Sequence, residues 1–265
     1  VMRLAAIGSN CIDYYNNLDG GKSFAGGGPV NMAVYAVRLG GEASYIGAIG
    51  NDENGKFIKE SLERKKVDIS QIHVLKGKTA VSQVELVNGE RIFGEYDEGV
   101  LKDYSLTDED ISFIKNFDVV VCDVWGRVEK QFPQLKENGI IIAFDCATTP
   151  DAEESQIAIP YSDYLFFSSD DGDTAELREK MKLIHQKGPT LVISMLGEQG
   201  SLCFDGETFY KYGIVPCENL VDTMGAGDSY IAGFLTGIVQ GQSIEKAMEM
   251  GASCSTETLG YFGAW

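Results

Sequence analysis

The sequence predicts an α/β fold: a doubly wound, mostly parallel sheet with helices on both faces and a small β-hairpin appendage. Three observations carry this. From Thr107 onward, helical and strand patterns alternate. Runs such as Val119–Val121 and Ile140–Ile142 are apolar without a break, which suits strands covered on both faces. Two stretches predict hairpins: 12–26 alternates weakly with turn residues in the middle, and 79–99 alternates around Asn88-Gly89 and is polar on one side, as a small sheet standing off a core is. No repeat, linker or low-complexity stretch divides the chain, so residues 1–265 are expected to form one domain.

The elements follow in order. Residues 3–10 (RLAAIGSN) are a short apolar run closed by turn residues, hence a buried strand. Residues 12–27 hold turn residues in the middle and predict a small hairpin. Val30, Ala33, Val34 and Val37 fall at helical spacing, and the Gly40-Gly41 pair stops that helix. Residues 43–50 (ASYIGAIG) predict one strand, and 51–67 a charged amphipathic helix. Asn88-Gly89 centres the strongest hairpin signal in the chain. Thr107–Phe117 predicts a helix with an acidic first turn. Strand 118–124, helix 129–139 despite Pro133, and strand 140–146 come next. Strand 164–168, helix 173–188 and strand 190–196 continue the alternation, and 200–205 pairs with 207–212 around Asp205-Gly206. The last 40 or so residues predict two long helices.

Composition excludes several function classes. The net charge of −18 argues against nucleic acid or an anionic membrane surface as a partner. Local backbone amides can still hold an anionic ligand against that field. Six cysteines without C-x-x-C spacing predict reduced thiols, not a disulfide scaffold. The two histidines, His73 in an apolar stretch and His185 closing a charged helix, are not expected to ligate metal or catalyse. No stretch approaches transmembrane length and no export signal is expected, so the predicted location is the cytoplasm.

The chemistry concentrates in Asp222–Phe234 (DTMGAGDSYIAGF). Gly225 and Gly227 permit close approach of a ligand to the backbone, and helical periodicity begins directly after them. The amides of Gly225, Ala226 and Gly227 are therefore expected to point out of a helix N-terminus, a site for an anion and above all for phosphate. A carboxylate beside a phosphate repels it, so Asp228 makes sense as a base that accepts a proton from an alcohol. General-base help is worth roughly 10²–10⁴ in rate, and a single amide of the oxyanion-hole kind about 3–4 kcal/mol. A plain tight turn with a first-turn acid accounts for G-A-G-D equally well when the motif is taken alone.

Two decoys fail. Gly20–Ser23 (GGKS) imitates a P-loop end, but the pattern needs glycine where Asn16 stands. A dinucleotide-binding G-x-G-x-x-G starting at Gly225 meets Tyr230 at its third glycine position.

Asp222–Asp228 resembles the C-terminal signature of the PfkB (ribokinase-like) carbohydrate kinases. Gly26–Gly40 with Gly47–Gly55 resembles their N-terminal signature, and Ile7–Asp13 their first strand. Met195–Gly200 (MLGEQG) is similar to their strand–turn beside the ATP phosphates. These blocks occur in the family's order and span almost the whole chain.

The resemblance implies a sugar kinase. Asp228 would be the base, with Gly225, Ala226, Gly227 and Asp228 forming the anion hole. Asp13, Gly27, Gly28 and Asn31 would hold sugar hydroxyls. Leu196, Gly197 and Gly200, with Gly225 and Gly227, would face ATP. The two hairpins, roughly 12–26 and 79–99, would be a lid that excludes water. ATP is the implied co-substrate and Mg²⁺ the implied ion, with a monovalent cation left open. The family's N-x-x-E segment is missing from Phe166–Glu176, where Asp170 or Asp171 could substitute, so no metal ligands are named. Gln83–Val100 and Tyr261–Trp265 resemble family members that phosphorylate a glycated amino acid, fructoselysine, at the 6-hydroxyl. Fructose, ribose or a nucleoside are the other acceptors, and a catalytically silent sugar sensor is the non-enzyme reading. Glu85, Glu95, Asp97 and Glu98 could face the substrate's ammonium or form a solvated edge. Arg91 is open to a substrate carboxylate, a phosphate or solvent. The resemblance also allows a homodimer paired through the lid on the Gln83–Phe93 strand.

Overall fold

The structure, a computed structural model, describes residues 1–265. β1 (Arg3–Ile7) starts in the large sheet, and β2 (Cys11–Tyr15) and β3 (Lys22–Gly26) leave it for a second one. α1 (Gly28–Arg38) and β4 (Glu42–Ile46) return, followed by β5 (Ala48–Gly50), α2 (Glu53–Arg64) and β6 (His73–Leu75). β7 (Val81–Val87) and β8 (Glu90–Asp97) complete the second sheet. Then come α3 (Asp108–Ile114), β9 (Val119–Asp123), α4 (Phe132–Glu137), β10 (Ile142–Asp145), α5 (Glu153–Ala158) and β11 (Tyr164–Ser168). α6 (Ala175–Gln186), β12 (Leu191–Met195), β13 (Ser201–Phe204), β14 (Phe209–Tyr212), α7 (Ala226–Val239) and α8 (Ile244–Thr258) close the chain.

The large sheet has eight strands in the order β14-β13-β12-β11-β10-β9-β1-β4. β12 through β4 run parallel, and β13 and β14 form an antiparallel edge. The uninterrupted apolar runs explain themselves once side chains are sorted by face. Val120 and Cys122 of β9 join one core with α3, α4 and α6, while Val119 and Val121 join the other with α1, α2, α7 and α8. Both faces are buried, so both phases of the period-2 pattern are apolar.

The two predicted hairpins do not stand apart. They merge into one four-stranded sheet, β3-β2-β7-β8, through parallel pairing of β2 with β7. Asn88 and Gly89 turn β7 into β8 with φ of 52° and 81°, as this dipeptide does in tight hairpins. Where one strand was expected over 43–50, the chain breaks at Gly47 into β4 and β5. β5 pairs with β6, a strand the sequence did not announce, because three residues are too few for a periodic signal. α5 was missed as well, its six residues being fewer than two helical turns. The histidines are occupied locally: the ring of His73 bonds the buried Asp110 at 2.8 Å, and that of His185 packs edge-on against Phe204. All six cysteines are unpaired, and all but Cys217 are buried. No helix is long and apolar enough to cross a membrane.

Candidate active site

Among the helices of seven residues or more, capping separates two from the rest, the six-residue α4 and α5 being uncapped as well. Asp52, Thr107, Thr174 and Ser243 cap α2, α3, α6 and α8 with their own side chains. α1 and α7 instead begin at Gly27 and Gly225, with no side-chain cap. Their first-turn amides are left for a ligand. Both helix starts face the same groove, where the C-terminal ends of β9 and β10 meet the second sheet.

Gly225 holds φ 78°, the left-handed conformation that glycine adopts freely. The amides of Gly225, Gly227 and Asp228 have no backbone acceptor. Ala226 N–H, expected to join them, turns back to Thr223 O at 3.3 Å. Asp222 shapes the turn from below. It is fully buried and accepts from Met224 N at 2.9 Å, Gly263 N at 2.8 Å and the Tyr15 hydroxyl at 2.6 Å.

Asp228 lies in the first turn of α7, half-buried. Asn31 Nδ2 donates to its Oδ2 at 2.8 Å. Burial raises its pKa, and the Asn31 bond and the Arg91 charge limit the rise. Its other oxygen faces Gly28: a Cβ there would stand 3.3 Å from Asp228 Oδ1 and 2.7 Å from Asp123 Oδ2. Only a bare backbone fits between the two carboxylates.

Asp123 was not singled out from the sequence, where it reads as the end of a strand. It is 1% exposed, and Ser9 Oγ donates to it at 2.8 Å and Trp125 N at 3.2 Å. Burial, reinforced by the Asp228 charge, pushes its pKa up to about 7. Asp145, one strand over, was missed likewise. Burial first, then Asp228 and Asp123, raise it well above the usual carboxylate range, and Ala147 N donates to its Oδ1 at 2.9 Å. Asp13, on β2, is 3% exposed, and burial lifts it to about 7 while the Cys11 thiol donates to it at 3.3 Å. Four acids thus converge from β2, β9, β10 and α7. A strand end facing a site looks in sequence like any other strand end, so only pairing register reveals Asp123 and Asp145 as neighbours.

The remaining predicted residues fall around this groove. Gly27 and Asn31 sit at the start of α1, Asn31 almost fully buried. Leu196, Gly197 and Gly200 form the turn after β12, and Met195 Sδ lies 3.9 Å from where a Gly227 Cβ would be, which sets that turn beside the Gly225–Asp228 loop. Arg91 reaches across from β8 and donates to Thr223 O at 3.1 Å and Thr223 Oγ1 at 3.0 Å. It ties the small sheet to the loop before Gly225.

Pairing register places the lid acids. Asp13 opposes Ser82 and Tyr15 opposes Val84; Ser82 opposes Tyr96, Val84 opposes Phe93 and Leu86 opposes Arg91. These residues share the face toward Asp228. Glu85 points the other way, and Glu95 and Asp97 line a cleft with Val81 and Gln83 on that far side. Glu98 is engaged by Arg127 at 2.8 Å. The acidic cluster is therefore the solvated edge; the side facing the site carries Phe93 and Tyr96. Asp170 and Asp171 are exposed, and Asp173 is held by Arg178 at 2.8 Å.

The comparisons with known proteins agree with this geometry. The model of the pfkB family of carbohydrate kinases matches residues 3–265. The chain is 43% identical over 262 residues to a fructoselysine 6-kinase of Shigella flexneri, covering 99% of each. It is 35% identical over 269 residues to a fructosamine kinase of Bacillus subtilis, covering 100% of this chain and 93% of the other. A ribokinase of Arabidopsis thaliana, solved with ribose and ATP, superposes with a TM-score of 0.84 at 22% identity, over 99% of this chain and 93% of the other. Adenosine kinase of Sinorhizobium meliloti does so with 0.86 at 20% identity, over 99% and 95%. With the fold, the uncapped loop and the full-length matches in agreement, this chain belongs to the pfkB family of carbohydrate kinases.

Proposed function

We propose that this kinase transfers the γ-phosphoryl group of ATP to the 6-hydroxyl of fructoselysine. The relatives at 43% and 35% identity, named for fructoselysine and fructosamine, support the acceptor. The observation that carries the chemistry is the free Asp228 Oδ1 above Gly28, beside unpaired amides.

The sugar lies over Gly27 and Gly28, with Asp13, Asn31 and Asp123 on its hydroxyls. Asp228 Oδ1 takes the proton of the reacting hydroxyl as that oxygen bonds to the γ-phosphorus. The bond to the β–γ bridging oxygen breaks, and ADP leaves with those electrons. The amides of Gly225 and Gly227 receive the negative charge of the transferring group. Burial makes Asp228 a stronger proton acceptor than a solvated aspartate. Leu196, Gly197 and Gly200 border the nucleotide phosphates. The secondary ammonium of the substrate meets Tyr96, on the site-facing side of β8, by cation–π attraction. The small sheet closes over the sugar and keeps water from the γ-phosphate.

No three His, Cys, Asp or Glu side chains lie close enough to hold an ion by themselves. That fits Mg²⁺, which is held by one or two carboxylates together with phosphate oxygens and water. Asp145 suits it, since burial and the neighbouring Asp228 and Asp123 leave an acid set short of cations. Mg²⁺ bound there with ATP would neutralise phosphate charge.

The test is ATP consumption with fructoselysine, fructose, ribose and a nucleoside, followed by mass analysis of the product. Fructoselysine is expected to have the highest kcat/KM. Asp228→Asn is expected to lower kcat by roughly 10²–10⁴ while the chain stays folded. A preference for free fructose would overturn the acceptor, and equal turnover in Asp228→Asn would overturn the base.

A further inference from the structure

Trp265 reaches the site through a chain of two hydrogen bonds. Its indole N–H donates to Asn31 Oδ1 at 2.9 Å, and Asn31 Nδ2 donates to Asp228 Oδ2 at 2.8 Å. An indole N–H can only donate, and an ionised carboxylate can only accept. The amide between them therefore has one workable orientation. Turned over, it would set N–H against N–H and oxygen against carboxylate, losing both bonds.

We propose that Trp265 is a positioning residue for the phosphoryl transfer: by fixing the Asn31 amide it keeps a donor on Asp228 Oδ2 and leaves Oδ1 as the atom that takes the proton. The inference rests on the reading of Asp228 as the base. The placement of the indole is itself determined by its neighbours. Gly263 N is held by Asp222 at 2.8 Å, and Ala264 is buried against Gly225, where an added Cβ would come within 2.6 Å of Ala264 Cβ. Tyr261 is gripped by Tyr35 and by Arg38, whose Nη1 donates at 2.8 Å. The segment that braces the anion loop thus also sets the base.

Asp228 is faced by Cys11 and Asp13 from β2, Asp123 from β9, Asp145 from β10 and Arg91 from β8. Trp265→Phe leaves all of these in place and keeps an aromatic ring, but removes the N–H together with part of the indole's volume against the core, so the pH limb and not kcat alone is the deciding readout. The readout is kcat against pH with fructoselysine and ATP. With the donor no longer held on Oδ2, the acid limb is expected to move up by about one pH unit, so that kcat at a pH on the limb falls about tenfold. KM for ATP should stay within about twofold, because the amides of the loop are untouched. In an Asn31→Ala background the same substitution should shift nothing further. A limb that does not move, whether or not kcat falls, overturns the proposal and leaves Trp265 a packing residue.

Should Trp265→Phe fail to fold, the unmodified chain supplies the measurement. It has two tryptophans, so comparison with Trp125→Phe assigns the Trp265 indole N–H resonance. That resonance should follow the ionisation of Asp228 and lose its titration in Asp228→Asn; a resonance indifferent to that substitution overturns the relay. Full turnover in Asp228→Asn would sink the base assignment itself. An inactive Asp228→Asn beside an unshifted Trp265→Phe would sink the relay alone.

Discussion

Replacing Asp123 with asparagine should stabilise the ligand-free kinase, by an amount that grows as pH rises from about 4 to 7. The carboxyl sits at the end of β9, 1% exposed, with a pKa of about 7 set first by burial and then by Asp228. Unfolded, it would titrate near 3.9, as aspartate ordinarily does. The folded pKa is the higher one, so between about pH 4 and 7 the native state holds a proton that the unfolded chain has lost. Stability from this group is complete below about pH 4, falls steadily as pH rises between 4 and 7, and is fully lost once pH has risen through 7. At about 1.4 kcal/mol per pH unit, a displacement of about three units amounts to about 4 kcal/mol by pH 8. Asp13 titrates in the same range and shares the local charge, so removing one acid should recover about 2–4 kcal/mol. Asparagine has the same shape and keeps an acceptor for Trp125 N and a partner for Ser9 Oγ. Urea unfolding followed by circular dichroism at pH 4 and pH 8 reads the effect. We expect little change at pH 4 and, at pH 8, a gain equivalent to about 5–10 °C in Tm, with roughly half of it present by pH 5.5. Equal effects at both pH values, or destabilisation at pH 8, would refute the account of Asp123 as a carboxyl kept partly protonated by its surroundings.

Two further outcomes follow from the loop. Gly225→Ala forces a side chain to φ 78° and into Ala264, so Tm should drop by several degrees, for about 1–2 kcal/mol of backbone cost alone, and kcat should fall at least tenfold; a variant with native Tm and kcat would show that the left-handed turn is dispensable. Arg91→Ala removes the Thr223 link from an exposed position, so stability measured by thermal melting should change by less than about 1 kcal/mol, while ATP hydrolysis uncoupled from sugar phosphorylation should rise. An unchanged ratio of ADP to sugar phosphate would detach Arg91 from closure.

Much of the architecture was legible because it is written in local pattern. Val119–Val121 and Ile140–Ile142 had to be strands covered on two faces, and Asn88-Gly89 had to turn a hairpin. The glycine turn before Asp228 was legible for the same reason: conformational freedom and helix start lie next to each other in the chain. Asp123, Asp145 and Trp265 were not. Each is placed by a neighbour distant in sequence, as Trp265 is by Asn31, 234 positions away. The merging of two hairpins into one sheet was hidden likewise, since the β2–β7 pairing joins segments that carry no mark of each other. The acids of the 83–98 strand misdirect because composition does not record which side of a pleat a residue occupies.

The parallel pairing of β2 with β7 has a consequence for how catalysis is timed. Asp13 is carried by the small sheet, whereas Asp228 is anchored on α7 against the large one. On the proposed reading, one jaw would bring a sugar contact and the other the proton acceptor. An acceptor molecule that grips Asp13 would then draw the jaws together as it binds, and one that cannot would leave them apart. Discrimination between sugar hydroxyls and water would in this way precede any bond being made or broken.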